Sequence, residues 1–376
     1  MQKAAMHSRE LRNAVHSLRV QDGETTESGA EQEEDKAEDI DTHVLRSIKP
    51  LNADGAALTF FVISDFGNCN EFVHCTAAAM DRYAREVASP EFIVGLGDNF
   101  YPRGVDDPRD DKFNAVWRQV YLRFESLRVP WRMVLGNHDY MGNPDAQVRY
   151  TYDRERNPDH LWQMPARNYS FSYCVSPQKK VTASPHVQSE RQNSTCDTGD
   201  FTVDFYALDT NGVDSEVAAL DRSTVDSLHS QIAALKSRLR DSDAYWKIVL
   251  GHHCMYTKGA YHGATGRILR EKTFRWSAHG MPKPGFGLED ALVGGGVQAY
   301  FCGHEHVFQH IQRRGVHHFM CGASGAEIRG SKGVLGAAKL EIDWIADGNE
   351  YGFVASTITR ELMTTRFVDK SGKVLR

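Results

Sequence analysis

From residue 58 onward the chain alternates short, near-continuous apolar runs with stretches whose apolar residues fall three or four apart. LTFFVIS (58–64), FIVGLG (92–97), WRMVLG (131–136), FTVDFYALD (201–209), WKIVLG (246–251) and VQAYFCG (297–303) are of the first kind. They are short and rich in branched and aromatic residues, which predicts strands covered on both faces. Between them, residues 74–87 and 111–124 predict helices. The clearest helical pattern spans 217–239, where Leu220, Leu228, Ile232, Leu235 and Leu239 fall on one face. Past residue 316 the rhythm changes: 317–322, 336–344, 351–358 and 361–368 read as strands with no helix between them. The expectation is an α/β chain ending in an antiparallel group, with no internal repeat.

Charge and composition alter this picture at the ends of the chain and in one insertion. Residues 21–42 carry ten acids and one lysine, a net of −9, so a total of −6 leaves the remainder near +3. That segment lacks aromatics and has one large aliphatic residue, Ile40. It cannot bury enough apolar area to offset its ordering entropy, which predicts a disordered acidic tail over 1–55 and one folded domain over 56–376. Residues 176–200, rich in Ser, Gln and Lys, predict a surface insertion. At 376 residues, 41% hydrophobic and 25% charged, the whole is ordinary for a globular protein. No run of about 18 uncharged apolar residues occurs, so no transmembrane span is expected. The first residues lack the apolar core of a secretory signal, which makes the cytoplasm the default compartment. The mild positive balance suits a small anionic ligand and argues against a nucleic-acid partner.

Seven cysteines (69, 75, 174, 196, 254, 302, 321) form no CxxC pair, which argues against a zinc ribbon or a dense disulfide framework. Cys174 and Cys196 flank the insertion and can close it in an oxidising compartment. The sequons at Asn168 and Asn193 matter only there.

The chemistry lies where the strands end. Five apolar runs terminate in polar clusters: Ser64-Asp65-Phe66-Gly67, Gly97-Asp98-Asn99-Phe100-Tyr101, Gly136-Asn137-His138-Asp139, Gly251-His252-His253 and Gly303-His304-Glu305-His306. In open α/β sheets ligands bind beyond the carboxyl ends of strands, so these loops are expected to converge. Any one cluster alone is an ordinary turn or cap; five in succession are not. Carboxylate, phenolate, amide oxygen and imidazole together suit iron, manganese or zinc. No cysteine joins them, which argues against a structural zinc. The donors are too many for one ion, and two ions bridged by a carboxylate is the economical arrangement.

The succession Asp65, Gly97-Asp98-x-x-Tyr101, Gly136-Asn137-His138-Asp139, Val249-x-x-His252 and Gly303-His304-x-His306 resembles the metallophosphoesterases. Tyr101 narrows the resemblance to the purple acid phosphatases, and the absence of a β-domain before the first motif resembles the small, mammalian tartrate-resistant type. Leu208-Asp209-Thr210 and Trp162-Gln163-Met164-Pro165 ahead of Tyr169 are similar too. The first cluster departs from the family's Gly-Asp-Trp-Gly-Gly, with Ser64 before the Asp and Phe66-Gly67-Asn68 after it. The resemblance covers residues 58 to about 322, and the rest more loosely.

That resemblance implies a four-layer α/β/β/α sandwich of two packed mixed sheets flanked by helices. It implies an acid phosphatase acting on phosphate monoesters through a hydroxide activated by two metals. Asp65, Tyr101 and His306 would bind Fe(III), Asp98 would bridge, and Asn137, His252 and His304 would hold divalent iron, zinc or manganese. His138 would contact the phosphate or protonate the leaving group. Asp139 would orient His138 or simply stabilise the turn, and His262 would be a second substrate-side histidine. His253, Glu305 and His310 read as supporting or structural residues. The expected substrate is a small molecule or phosphoprotein and the expected state a monomer, with a secreted or lysosomal location as the family's alternative to the cytoplasm. Another dimetal phosphoesterase, or a scaffold that keeps the metals without turnover, are the competing readings.

Overall fold

The computed structural model describes residues 56–176, 182–186, 200–259, 262–274, 283–328, 343–346, 348 and 350–376. The expected tail over 1–55 therefore lies outside the described residues, as do most of the insertion, Cys196, Asn193 and most of the strand expected over 336–344.

Among the described residues, six strands form one sheet. Strands β1 (Leu58–Ile63), β2 (Phe92–Gly95), β3 (Trp131–Met133) and β4 (Trp162–Gln163) run parallel in that order. On the other side of β1, β15 (Gly352–Ile358) and then β16 (Met363–Asp369) are added antiparallel. The second sheet is built on β7 (Phe201–Ala207), β8 (Trp246–Leu250), β11 (Ala299–Cys302) and β13 (Val316–Cys321), mutually parallel in that order. At one edge β5 (Tyr169–Val175) and β6 (Thr182–His186) pair antiparallel; at the other do β12 (Phe308–Arg313) and β14 (Trp344–Ile345). A short antiparallel pair, β9 (Thr273–Phe274) and β10 (Lys283–Pro284), stands apart. The antiparallel ending is thus real for β15 and β16, while β13 lies parallel to β11 inside the second sheet.

Strand periodicity explains the layers. Alternate residues of β7, β8 and β11 (Phe205, Ile248, Phe301) enter one core shared with β1 and β2, while Tyr206, Val249 and Tyr300 enter a second. In the shared core Phe60 meets Phe205 at 5.4 Å and Phe301 at 5.7 Å, both edge-on, and Phe92 meets Phe171 at 5.6 Å. The two sheets therefore pack face to face through aromatic rings. Helix α1 (Glu71–Glu86), capped by Asn70, covers the outer face of the first sheet with Val73, Ala77, Met80 and Tyr83. Helices α4 (Ser223–Asp241) and α5 (Leu288–Gly294) cover the second with Leu228, Ile232, Leu235, Leu239, Leu288 and Leu292. This is the four-layer sandwich.

Two helical expectations need correction. The pattern over 217–239 is two helices, α3 (Ser215–Leu220) and α4, broken at Asp221, whose carboxylate accepts from the Ser223 amide and restarts the chain. Leu220, expected in the apolar face, is 63% exposed as a result. Residues 111–124 form a wide π-type turn, Phe113–Arg118, that runs into Gln119–Tyr121, with Phe113 and Trp117 both packed on Trp162.

Candidate metal centre

The expected ligands all follow strands of the two facing sheets. Asp65 lies just past β1, Asp98 and Tyr101 past β2, and Asn137 begins the one-turn helix α2 (Asn137–Tyr140) after β3. His252 follows β8, and His304 and His306 follow β11. The turns are tight enough that Asp65, Asp98 and His304 take left-handed backbone conformations, with φ of 57°, 51° and 69°. Two glycines make the crowding possible. Gly97 has φ +95°, and a Cβ on Gly303 would lie 1.8 Å from Ser64 Oγ. The unusual first loop costs no ligand: Phe66 turns inward and packs edge-on against Tyr121.

Hydrogen bonds at the rear of the histidines fix what they present in front. His252 Nδ1 donates to the Leu96 carbonyl at 2.8 Å, and His306 Nδ1 to the Glu327 carbonyl at 2.7 Å. A carbonyl only accepts, so each neutral ring turns an Nε2 lone pair inward. His252 Nε2 then faces Asn137 Oδ1 at 3.1 Å, His304 Nδ1 at 3.2 Å and Asp98 Oδ1 at 3.5 Å. His306 Nε2 faces Asp65 Oδ1 at 3.5 Å and the Tyr101 hydroxyl at 3.4 Å. That hydroxyl has one proton for two carboxylates, Asp98 Oδ2 at 2.8 Å and Asp65 Oδ1 at 3.3 Å.

Lone pairs turned toward one another inside a protein repel unless cations lie between them. Donors that each sit ~2.1 Å from one ion are about 3–3.5 Å apart, which is the spacing seen here. Among the described residues, Asp65, Asp98 and His306 offer ligand atoms all within 4.8 Å of one another, as a metal site requires. Burial and the carboxylates of Asp98 and Asp65 hold the Tyr101 phenol well above its ordinary range, so a phenolate there needs a cation. The residues fit a pair of metal ions.

His138 sits beside the donors without joining them. Its Nδ1 donates to the Pro102 carbonyl at 2.7 Å, and its backbone amide donates to Asp98 Oδ1 at 2.9 Å. Nε2 is 3.9 Å from Asp98 Oδ2, and the side chain keeps 33% of its exposure. Asp139 does not reach that ring. Its buried carboxylate accepts from the amides of Asn99 and Gly136 and from Gln147 Nε2, and so fastens two of the ligand loops. Burial and the charge of Asp98 push its carboxyl up to about 7. His262 lies against His304, ring centroids 3.7 Å apart, and its amide donates to Glu305 Oε2 at 3.2 Å. Burial, and then His253, pull His262 down to about 4. His310 lies on β12 against His317, away from the ligand loops.

Sequence reasoning missed Gln147 and Pro102 as supports of the site, and neither carries a local signal in the sequence.

The fold and this cage of donors define a class. The chain belongs to the calcineurin-like phosphoesterase family, whose pattern matches residues 58–308. Within that class it is similar to tartrate-resistant acid phosphatase type 5 of Homo sapiens, 28% identical over 338 residues that cover 87% of this chain and 92% of that protein. It is also similar to purple acid phosphatase 17 of Arabidopsis thaliana, 27% identical over 336 residues that cover 88% and 86%. The purple acid phosphatase resemblance is thereby borne out over most of the chain. Among solved structures, GAP50, the anchor in the inner membrane complex of Plasmodium, superposes with a TM-score of 0.63 at 20% identity, covering 85% of this chain and 87% of that one. That likeness is one of fold.

Proposed function

We propose that this chain is an acid phosphatase that hydrolyses phosphate monoesters at a dinuclear metal centre. The observation that carries the reading is the convergence of the His252 and His306 lone pairs on Asp65, Asp98, Tyr101 and Asn137. Relatives named as tartrate-resistant and purple acid phosphatases support the substrate class. Asp65, Tyr101 and His306 would hold Fe(III), since a phenolate is a hard anionic donor. Asn137, His252 and His304 would hold a divalent iron, zinc or manganese ion, and Asp98 would be shared. Bound there, two ions supply charge neutralisation for the phosphate and a lowered pKa for water.

The chain's own part is orientation and proton transfer. The Pro102 carbonyl keeps the His138 proton on Nδ1, so a proton delivered to the leaving oxygen comes from Nε2 of the imidazolium, at the open side of the site. His262, whose ring lies 3.7 Å from that of His304, is the second candidate for that contact. Asp139 keeps the Asp98 and Asn137 loops in register.

The single domain over 56–376 is proposed to act as a monomer. Cys174 is disulfide-bonded, with its expected partner Cys196 outside the described residues. This favours an oxidising compartment, secreted or lysosomal, over the cytoplasmic default. Helices long and apolar enough to cross a membrane are absent among the described residues.

Turnover of p-nitrophenyl phosphate against its bis-ester tests the function. Monoester hydrolysis that disappears on metal depletion and returns on reloading is expected. Preference for the bis-ester would transfer the chain to the phosphodiesterases, and full metal occupancy without turnover to the scaffolds.

A further inference from the structure

Behind His304 lies a second polar group that the phosphatase chemistry does not use. His253, fully buried after β8, follows the ligand His252 but points to the other side of the chain, and its ring packs on His304 with centroids 4.4 Å apart. The His253 amide donates to Thr210 Oγ1 at 3.1 Å, and the same hydroxyl lies 2.8 Å from His253 Nδ1. A threonine that already accepts from the amide has its own hydrogen to give, so it donates to Nδ1 and leaves the ring proton on Nε2. His253 Nε2 has no hydrogen-bond partner; the carboxylate it faces is Asp214 Oδ2, at 3.9 Å. Asp214 is itself fixed, because its Oδ1 caps α3 by accepting from the amides of Glu216 and Val217. Asp214, His253 and His304 offer polar atoms all within 4.8 Å of one another.

We propose that the partly exposed Asp214 and the buried His253 form a carboxylate–imidazole pair that positions His304 and lends negative charge to the divalent side of the metal centre. The pair rests on the reading of His304 as a divalent-metal ligand. His304 Nδ1 points at His252 and the centre, so the rest of its ring must be held from behind. Two elements distant in sequence do so: the Thr210–Asp214 turn after β7 and the His252-His253 turn after β8. Tyr300, which donates to the His253 carbonyl at 2.7 Å, locks the second of them. Partners of metal-bound histidines fix the ring and raise its basicity, and their loss typically weakens metal binding about 10–100-fold. Asp214 and His253 touch neither substrate nor reacting atoms in this arrangement; they are positioning residues.

The test is a metal-binding titration of stripped protein, read by calorimetry and by metal content after dialysis, with wild type, Asp214→Asn, His253→Phe and Asn137→Ala compared. Asparagine retains the helix cap and removes only the charge. Asp214→Asn should take up the weaker ion about 10–100-fold less tightly while the tighter ion and the thermal midpoint stay as in wild type. His253→Phe should do the same, and it carries the test if Asp214→Asn does not fold. Wild-type affinity for both ions in both variants would overturn the proposal. So would a third ion per chain that Asp214→Asn alone releases, because the three residues would then be ligands themselves. If Asn137→Ala also binds both ions like wild type, the fault lies instead with the reading of the divalent site.

Discussion

The Tyr101 hydroxyl donates to Asp98 Oδ2 at 2.8 Å, across a turn of three residues. If that phenol is a ligand to ferric iron, the loaded protein is purple or pink through ligand-to-metal charge transfer. Tyr101→Phe should abolish the visible band while circular dichroism is unchanged. Iron-loaded wild type without colour would sink the tyrosinate assignment.

Asp98 and His138 separate ligand from proton donor. Asp98→Asn should lose metal along with activity, since a neutral amide cannot hold two cations together. His138→Ala should retain both ions and lose roughly 10²–10⁴ in kcat, the usual range for a positioned general acid. The deficit should be largest for alkyl phosphates and smallest for p-nitrophenyl phosphate, whose leaving group needs little protonation. Equal losses would mean that His138 binds phosphate instead.

Asp139 gives a contrasting outcome. Its carboxylate satisfies the amides of Asn99 and Gly136 in a fully buried setting. Asp139→Ala strands those donors, and each buried orphan costs about 1–3 kcal/mol. Unfolding free energy should therefore fall, and activity should fall without any dependence on the leaving group. A deficit that tracks the leaving group as it does for His138→Ala would restore Asp139 to the proton-transfer machinery.

Loss of stability in acid has a local origin in His318, on β13. It is buried among Tyr256 and Tyr300, with no hydrogen-bond partner at either ring nitrogen. Burial, and then the charges around it, pull it from 6.5 down to about 3. The unfolded chain therefore takes up this proton first as pH falls. Stability present above about pH 6.5 is lost toward pH 3, at about 1.4 kcal/mol per unit. His318→Phe removes that loss, so its advantage over wild type in urea unfolding should widen between pH 7 and pH 5. An advantage that does not change with pH would refute the assignment.

Most of the frame was legible because a short apolar run followed by glycine and a polar cluster marks both a strand and its chemical end. Strands β2, β3, β8 and β11 announce themselves in that way, and β1 and β7 by the apolar run itself. Strand β5 carried a strict alternation, Tyr169, Phe171, Tyr173 and Val175 inward against serines and a cysteine, but its polar face diluted the apolar signal. Strand β12 was hidden behind the His304–His306 cluster that precedes it. The break at Asp221 could not be read from periodicity, which runs on through both helices. The supports of the site were illegible for a different reason. Asp139 meets Asn99 across 40 residues, and Thr210 meets His253 across 43, so only the closed fold brings them together.

The ligand cage has no covalent frame of its own. Asp65, Asp98 and Asn137 hang from one sheet, and His252, His304 and His306 from the other. The gap between these halves is set by the thickness of what fills the sandwich, above all Phe60 against Phe205 and Phe301. Those rings act as a shim. Trimming one of them would let the sheets settle closer and shift the two halves by a fraction of an ångström, a scale on which coordination and packing are both sensitive. The aromatic interior between the sheets is therefore where the reach of this centre is tuned.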